Sequence, residues 1–259
     1  MYWISPHFEK ALVVLIAASY WVVSFIFANY LANLSVESQI DEIRDDVRRE
    51  VALVRSKIEA TVFEHTYIAD SLATVITLQP DFVENNWERI AGALLKKSNY
   101  IRNVGMAPNN IISHVYPIEG NEKAIGLDFS SVPRQHQSVI KAKELGWVFL
   151  DGPLELVQGG QALIGRFPIF LDYPINKAYW GSVSIVFHYQ KILEHSGIHD
   201  LDHVEVALSR KSLDQTVTHI FYGQASTLAR ADFTLPIHLP NVNWQLSAQY
   251  RITDIGLTH

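Results

Sequence analysis

A stretch without charged residues, Ala11–Val36, constrains this 259-residue chain more than any other feature. As a helix, Leu12–Leu34 would extend about 34 Å at about 1.5 Å per residue, enough for a bilayer core of about 30 Å. It exceeds the apolar region of a signal peptide, which has about 7–15 residues, and no small-residue cleavage pattern follows a basic segment. We predict an uncleaved transmembrane helix over residues 11–35; a buried core helix or a removed signal is the alternative.

All of the charged residues lie outside this stretch. We expect a cytoplasmic tail over residues 1–10 and an exported body, because the positive-inside rule discounts charges on long translocated domains. The whole chain has 21 Lys and Arg, 27 Asp and Glu, no cysteine and a net charge of −6. Without a basic patch, nucleic acid is not an expected partner. The lack of cysteine excludes disulfides and thiolate chemistry, and is compatible with a bacterial periplasmic location at the inner (cytoplasmic) membrane.

A long amphipathic pattern follows the apolar stretch. Apolar residues, with one histidine, recur at intervals of three or four up to Pro80: Ile40, Ile43, Val47, Val51, Val54, Ile58, Val62, His65, Ile68, Leu72 and Val75. This spacing predicts one stripe of a long stalk helix over residues 36–79. Such a helix either pairs with a second copy, giving a homodimer, or packs against the body of its own chain.

The body has the pattern of an α+β fold with two sheets. A short helix is predicted over residues 82–98 and another over Pro133–Leu145, with Pro at its first turn and Gly146 as its stop. Strand patterns cover Ile101–Ala107, Ile111–Pro117, Trp147–Leu150, Leu154–Gln158, Leu163–Phe170 and Tyr179–Phe187, with a tight turn at Gly159-Gly160. After a helix over Tyr189–His195, four shorter runs follow, namely His203–Ser209, Thr218–Tyr222, Asp232–Ile237 and Trp244–Tyr250. We predict mixed or antiparallel Per-Arnt-Sim-like (PAS-like) domains over residues 80–198, membrane-distal, and 199–259, membrane-proximal.

Motifs for catalysis or for a cofactor are weak. Gly160 and Gly165 have the spacing of a phosphate loop but lack its Lys and Ser/Thr, and they lie in a strand hairpin. His195, His199 and His203 are four residues apart, yet Gly197 interrupts the helix that would align them on a metal. We therefore predict no catalytic residues, no resident metal and no cofactor, so that this segment is not itself an enzyme.

Aromatic and polar residues between residues 101 and 187 are typical of a small-molecule pocket. Asp128 supplies a carboxylate, Phe149, Leu163 and Phe167 supply walls, and Ser182 and Ser184 supply hydroxyls on the same face of a strand. The alternative for each is ordinary: Asp128 caps the turn before Pro133, and the aromatic residues fill a solid core.

The order of several short motifs resembles that of a CHASE domain, the extracytoplasmic sensor of transmembrane histidine kinases and cyclases, best known from plant cytokinin receptors. The motifs are Ile101–Pro108 (IRNVGMAP), Val115–Gly120 (VYPIEG), Ala124–Asp128 (AIGLD), Leu150–Gly160 (LDGPLELVQGG), Gly165–Phe170 (GRFPIF) and Trp180–Ser184 (WGSVS). The resemblance covers residues 100–198 in detail. It implies a stalk helix, two PAS-like sheets with the ligand in the membrane-distal one, and a dimer that signals to the cytoplasm.

Residue by residue, the resemblance places the ligand-binding aspartate of the cytokinin receptors on Asp128 and their main-chain contact on Leu150. Their aromatic walls correspond to Phe167 and Tyr179, and their close-approach glycine to Ser182, where a hydroxymethyl group changes the pocket. Arg166 replaces a small polar residue. If Arg166 points inward, an anionic ligand is favoured over a plant-type adenine, because a guanidinium forms charge-assisted bonds with anions.

Together these features predict the extracytoplasmic small-molecule sensor region of a bacterial membrane signalling protein. We expect a second span and then a kinase, a diguanylate cyclase or a phosphodiesterase to follow. The alternative is a membrane-anchored envelope protein that does not signal and uses its sheets to bind a protein partner.

Overall fold

The computed structural model describes residues 6–155, 161–212 and 216–251. Its described residues form two units, residues 6–49 and residues 50–251, and helix α1 (Pro6–Leu78) contributes to both. In the first unit, side chains from Leu15 to Val36 are largely exposed. An 18-residue window there has a mean hydropathy of 1.6 and none of its residues is buried. By length and composition, this helix is therefore able to cross a membrane.

In the second unit, α1 buries most of the apolar stripe that the sequence predicts, but Val75 is 40% exposed and its neighbour Ile76 is buried in its place. Val51, Val54, Ile58, Val62 and Leu72 are all buried. The helix ends at Leu78, two residues before Pro80, because proline cannot continue an α-helical hydrogen-bond ladder. The segment that follows, predicted as one helix, is two helices.

These two helices are α2 (Pro80–Asn85) and α3 (Trp87–Leu95). They are separated by Asn86, whose φ of −122° and ψ of 20° are not helical. The side chain of Asn86 bonds to the Phe82 carbonyl, 2.9 Å away. A short polar side chain competes in this way with the backbone ladder, which explains the break.

The first sheet has five antiparallel strands in the order β2-β1-β5-β4-β3. The strands are β1 (Ile101–Pro108), β2 (His114–Tyr116), β3 (Phe149–Glu155), β4 (Gln161–Phe170) and β5 (Tyr179–Phe187). Helix α4 (Pro133–Leu145) lies between β2 and β3 in the chain and has the predicted bounds, with Gly146 in the left-handed conformation that ends it.

Two strand predictions for this sheet need correction. The run Ile111–Pro117 is a strand only at His114–Tyr116, because Ile111 instead forms an isolated bridge with Asp128. The two runs predicted at Trp147–Leu150 and Leu154–Gln158 meet in one strand, β3, which covers Phe149–Glu155; residues 156–158 of the second run lie outside the described residues. The pairing of β3 with β4 shifts register between Asp151 and Leu154, where Gly152 lies. A Cβ on Gly152 would lie only 2.7 Å from the Ala162 carbonyl oxygen, so the two backbones are close together there. The predicted turn at Gly159-Gly160 lies outside the described residues.

The second sheet has four antiparallel strands in the order β7-β6-β9-β8. After α5 (Tyr189–Ser196), it contains β6 (Val204–Lys211), β7 (Thr218–Tyr222), α6 (Ala225–Ala229), β8 (Phe233–Leu239) and β9 (Val242–Tyr250). All four predicted strands are present; α6 was not predicted. Tyr189, Phe221 and Trp244 pack ring against ring beside this sheet, with centroids 4.7–6.5 Å apart.

Specific contacts join α1 and both sheets. The His65 ring on α1 packs edge-on against Tyr100, just before β1, with centroids 4.8 Å apart. The Glu59 carboxylate on α1 accepts a hydrogen bond of 2.7 Å from the backbone N–H of His238 in β8. Asn241, in the turn between β8 and β9, donates to the Val148 carbonyl next to β3, 2.6 Å away. The predicted α+β class with two sheets is confirmed.

Candidate functional site

One face of the five-stranded sheet, together with the chain between β2 and α4, encloses a cavity of about 100 Å³. Strands β1, β4 and β5 supply the floor, and the segment from Ile112 to Gln135 supplies the cover. The residues that line this sheet cavity are Asn103, Gly105, Ile112, Val115, Lys123, Ala124, Leu127, Phe129, Gln135, Leu154, Ile164, Arg166, Ser184 and Val186.

Arg166 places its guanidinium in this cavity. The residue is only 3% exposed. Its Nη1 donates to the hydroxyl of Ser184, which faces it directly in the β4–β5 register, and its Nη2 donates to Gln135 Oε1 at 3.1 Å. The guanidinium carbon lies 4.4 Å from the centre of the Phe129 ring, a cation–π distance. Its Nε is buried without a hydrogen-bond partner in the described part of the chain.

The charge in the sheet cavity is unbalanced. Lys123 and Arg166 line it, and no acidic residue does so among the described residues. Burial lowers the pKa of Arg166 to about 10, and the charge of Asp151 opposes this shift only in part. A buried cation with two neutral hydrogen-bond acceptors and no ion pair is poorly solvated. An anion in the cavity would supply the missing partner.

An amide pair ties the cover of the cavity to its floor. Asn103 of β1 donates to Asn121 Oδ1 at 2.9 Å, and Asn121 donates to the Pro117 carbonyl at 3.0 Å. Both asparagines are buried, so these bonds satisfy groups that would be costly to leave unpaired. The cover is thereby held in one position above β1.

Of the predicted site residues, Arg166 and Ser184 line the sheet cavity together. Phe149 and Leu150 line a different cavity, between β3 and the second sheet. Phe167 lines a third, between β4 and the C-terminal part of α1, and Leu163 is fully buried. Side chains alternate along a strand, so Leu163 and Phe167 are on the face of β4 opposite Arg166.

The remaining three predicted residues lie beside the sheet cavity without lining it. Tyr179 donates to Asn110 Oδ1 at 2.6 Å, and burial raises its pKa to about 12. Ser182 is buried and has the same strand parity as Ser184. Asp128 is only partly buried: its carboxylate accepts hydrogen bonds from the Ser130 side chain and, at 2.8 Å, from the Ser130 backbone N–H, and these two bonds lower its pKa. Asp128 thus caps a short turn, and its role as a ligand contact stays a prediction.

Several residues of the sheet cavity were absent from the sequence-based prediction. Lys123 and Gln135 reach it from the cover, where no periodic pattern marks an inward side chain. Ile164 and Val186 could have been predicted from strand periodicity. Each lies two residues from Arg166 or Ser184 on the same strand and therefore on the same face.

The histidines considered as a metal site do not form one. His195 packs against Tyr100, with ring centroids 5.6 Å apart, while His199 Nδ1 lies 3.2 Å from the Tyr222 hydroxyl. Within residues 6–155, 161–212 and 216–251, no group of three His, Asp or Glu side chains is arranged to hold a metal ion.

Comparison with protein families identifies the part of the chain that contains the sheet cavity. Residues 101–222 match the family model of the CHASE domain. These residues form a CHASE domain. The match begins at β1 and extends through β7, so it includes the five-stranded sheet and the first two strands of the second. CHASE domains are extracellular sensor domains, and the chain therefore carries an extracellular sensor together with a helix apolar enough to span a membrane.

Solved structures share this fold at low sequence identity. An extracellular ligand binding receptor from Desulfohalobium retbaense DSM5692 has 16% identity and a TM-score of 0.62 over 80% of this chain, which spans 40% of that receptor. The ligand-binding domain of the Campylobacter jejuni chemoreceptor Tlp3, in complex with 4-methylisoleucine, has 12% identity and a TM-score of 0.53, with 83% of this chain and 94% of that one covered. The same domain in complex with L-valine has a TM-score of 0.51, at 12% identity and with 82% and 95% covered. No curated protein matches the sequence.

Proposed function

We propose that the sheet cavity of the CHASE domain binds a small aliphatic carboxylate. The observation that carries this proposal is the buried guanidinium of Arg166, which forms no ion pair with another described residue. An Arg–carboxylate pair is a strong, directional interaction, and the unpartnered Nε offers one more donor.

The size and walls of the cavity narrow the ligand class. A cavity of about 150 Å³ holds a benzene molecule, so about 100 Å³ accepts a ligand of a few heavy atoms. Ile112, Leu127, Ile164 and Val186 line the same cavity with aliphatic side chains. The structurally similar Tlp3 domain was solved with two aliphatic amino acids, which supports a ligand that has a carboxylate and a short branched chain.

The test compares three small probes of five or six heavy atoms: the carboxylates propanoate and 2-methylpropanoate, and the amine 2-methylpropylamine. With the full chain in detergent, we expect the carboxylates to raise the midpoint of thermal unfolding and the amine to leave it unchanged. Arg166→Met should remove the response, with a loss of affinity of about tenfold or more. Stabilisation by the amine alone would exclude the proposal, and a response retained in Arg166→Met would place the ligand elsewhere.

We further propose that this sensor belongs to a signalling protein of the bacterial inner membrane. In this arrangement residues 11–35 cross the membrane, residues 80–198 form the membrane-distal ligand-binding domain and residues 199–259 the membrane-proximal one. The stalk helix pairs with a second copy and carries the signal to a histidine kinase, a diguanylate cyclase or a phosphodiesterase. A ligand shifts such an equilibrium only if it binds one arrangement more tightly.

Cysteine crosslinking tests this second part. Cysteines introduced one at a time on α1 at positions 37–49 of the full chain in membranes should crosslink between copies with a helical period. The pattern should change when the ligand is added. A monomer with no crosslinks at any position would favour the envelope protein that binds a different partner.

A further inference from the structure

A second polar depression lies between the two sheets, away from the sheet cavity. It consists of two adjoining cavities of about 350 and 780 Å³, and both are lined by Lys141, Arg210 and Ser212. The first sheet contributes β3 and α4, and the second contributes the ends of β6 and β9. We call its charged residues the junction residues: Arg134, Lys141, Glu144, Asp151, Arg210 and Lys211.

Arg210 is the central group of this depression. It is 7% exposed although it lies next to the last residue of β6. Its Nε is buried without a hydrogen-bond partner among the described residues. Its Nη1 reaches the Lys211 carbonyl only at 3.5 Å, the long limit of a hydrogen bond. A buried guanidinium with so few partners is costly unless another group satisfies it.

The junction residues carry an excess of positive charge in a chain whose net charge is −6. Four of them are cations and two are acids. Each acid pairs with one of the other junction cations: Asp151 lies 3.3 Å from Arg134, and Glu144 lies 3.8 Å from Lys141. Within the described residues, Arg210 and Lys211 form no ion pair. Burial and the nearby charge of Arg134 both lower the pKa of Arg210, which Asp151 only partly offsets.

We propose that the junction residues bind a phosphate group, either free or as the ester of a small polar molecule. A doubly charged oxyanion matches a guanidinium flanked by two lysines, because it accepts several charge-assisted hydrogen bonds at once. Thr218, Asn241, Asn243 and Gln245 line the same depression with hydroxyl and amide groups, which suit the polar remainder of an ester. This site does not depend on the carboxylate proposed for Arg166.

Binding there would join the two sheets. Lys141 and Asp151 belong to the first sheet and its helix, whereas Arg210 and Lys211 belong to the second. The one side-chain hydrogen bond described above between the sheets, from Asn241 to Val148, lies at the same junction. A phosphate held from both sides therefore adds a second connection and resists their separation.

Calorimetric titration of the full chain in detergent tests the site with inorganic phosphate and glucose 6-phosphate. We expect both probes to bind, more weakly as salt is added. Arg210→Met should weaken binding about tenfold or more, and Lys211→Gln, an exposed position that leaves the core intact, about threefold. Lys97→Gln, at an exposed position outside this depression, is the matched control for Lys211→Gln and should leave phosphate affinity unchanged.

The outcomes separate the possibilities. Tighter binding of glucose 6-phosphate identifies an ester as the ligand, and equal binding identifies free phosphate. The proposal is overturned if neither probe binds, if malonate binds as tightly as phosphate, or if Lys211→Gln has no effect. Because none of the junction residues lines the sheet cavity, failure here leaves the function proposed for the sheet cavity untouched.

Discussion

The two sheets of this molecule differ in how closely side chains pack against them. Both are antiparallel, yet the first keeps a cavity with a buried cation at its centre, whereas the second packs Tyr189, Phe221 and Trp244 into contact. The first sheet leaves a cavity unfilled and the guanidinium of Arg166 poorly solvated, and an anion bound there would pair with that guanidinium. The second gains a close-packed aromatic cluster. The first sheet therefore keeps a cavity on its own face, whereas the second is close-packed beside its aromatic cluster and offers ligand-binding groups at the junction, through Arg210 and Lys211.

The largest effect is expected in the aromatic cluster. Trp244 is 1% exposed, and Trp244→Ala should lower the free energy of unfolding by about 3–5 kcal/mol, because it leaves a large cavity in close-packed surroundings. Denaturant unfolding of the full chain measures this change. Trp147→Ala is the control, since that side chain is 41% exposed and should matter far less. If both variants lost a similar amount of unfolding free energy, the aromatic cluster beside the second sheet would not be a special source of stability.

A change of opposite sign is expected at the cation of the first sheet. Without ligand, Arg166→Met should raise the free energy of unfolding by about 1–3 kcal/mol, because burial that lowers the pKa of Arg166 to about 10 disfavours its charged form. The same unfolding experiment at neutral pH measures it. Arg89→Met, at an exposed position, should change stability by no more than about 0.5 kcal/mol. A destabilised Arg166→Met would mean that its two hydrogen bonds outweigh the cost of burial.

Substitutions at Asp128 test whether the ligand contacts residues beyond those that line the sheet cavity. Asp128→Ala should cost about 1 kcal/mol through loss of the cap at Ser130, while carboxylate affinity stays unchanged. Asp128→Asn keeps a capping side chain and should restore stability. If both variants abolish binding equally, the charge of Asp128 contacts the ligand and the site extends beyond the residues that line the cavity.

The smallest effect is expected at Gly105, on the floor of the sheet cavity. An added Cβ would meet the His114 carbonyl oxygen at 3.5 Å and a Val115 methyl at 3.6 Å, both ordinary contacts. Gly105→Ala should therefore be tolerated and even stabilise by about 0.4–1 kcal/mol through the unfolded chain. Carboxylate affinity should fall severalfold because the cavity shrinks. An unchanged affinity would show that the ligand does not approach β1.

Local chemistry explains which elements were predictable. The bounds of α4 were predicted from Pro133 and Gly146, because a proline at the start and a glycine at the end act within one turn. Strand β3 was split in the prediction since Gly152-Pro153 has the appearance of a turn, and only pairing with β4 carries the chain through it. The family resemblance, based on the order of motifs rather than on any one of them, was confirmed.

The site was harder to predict because it depends on which way a strand faces. Arg166 and Phe167 were both predicted to be in one pocket, although neighbouring residues of a strand point to opposite faces. The pairing of Arg166 with Ser184 follows from the β4–β5 register, which the hairpin sequence alone leaves open. Lys123 and Gln135 reach the cavity only through the tertiary placement of its cover.

The contacts of α1 in the second unit have a mechanical consequence. His65 packs against Tyr100 at the start of the first sheet, and Glu59 accepts a hydrogen bond from His238 of the second. These two contacts lie six residues apart on α1, less than two turns of helix. A displacement of either sheet would therefore act on nearly the same position along α1. Displacements of the two sheets would then have the same effect on the rest of the helix.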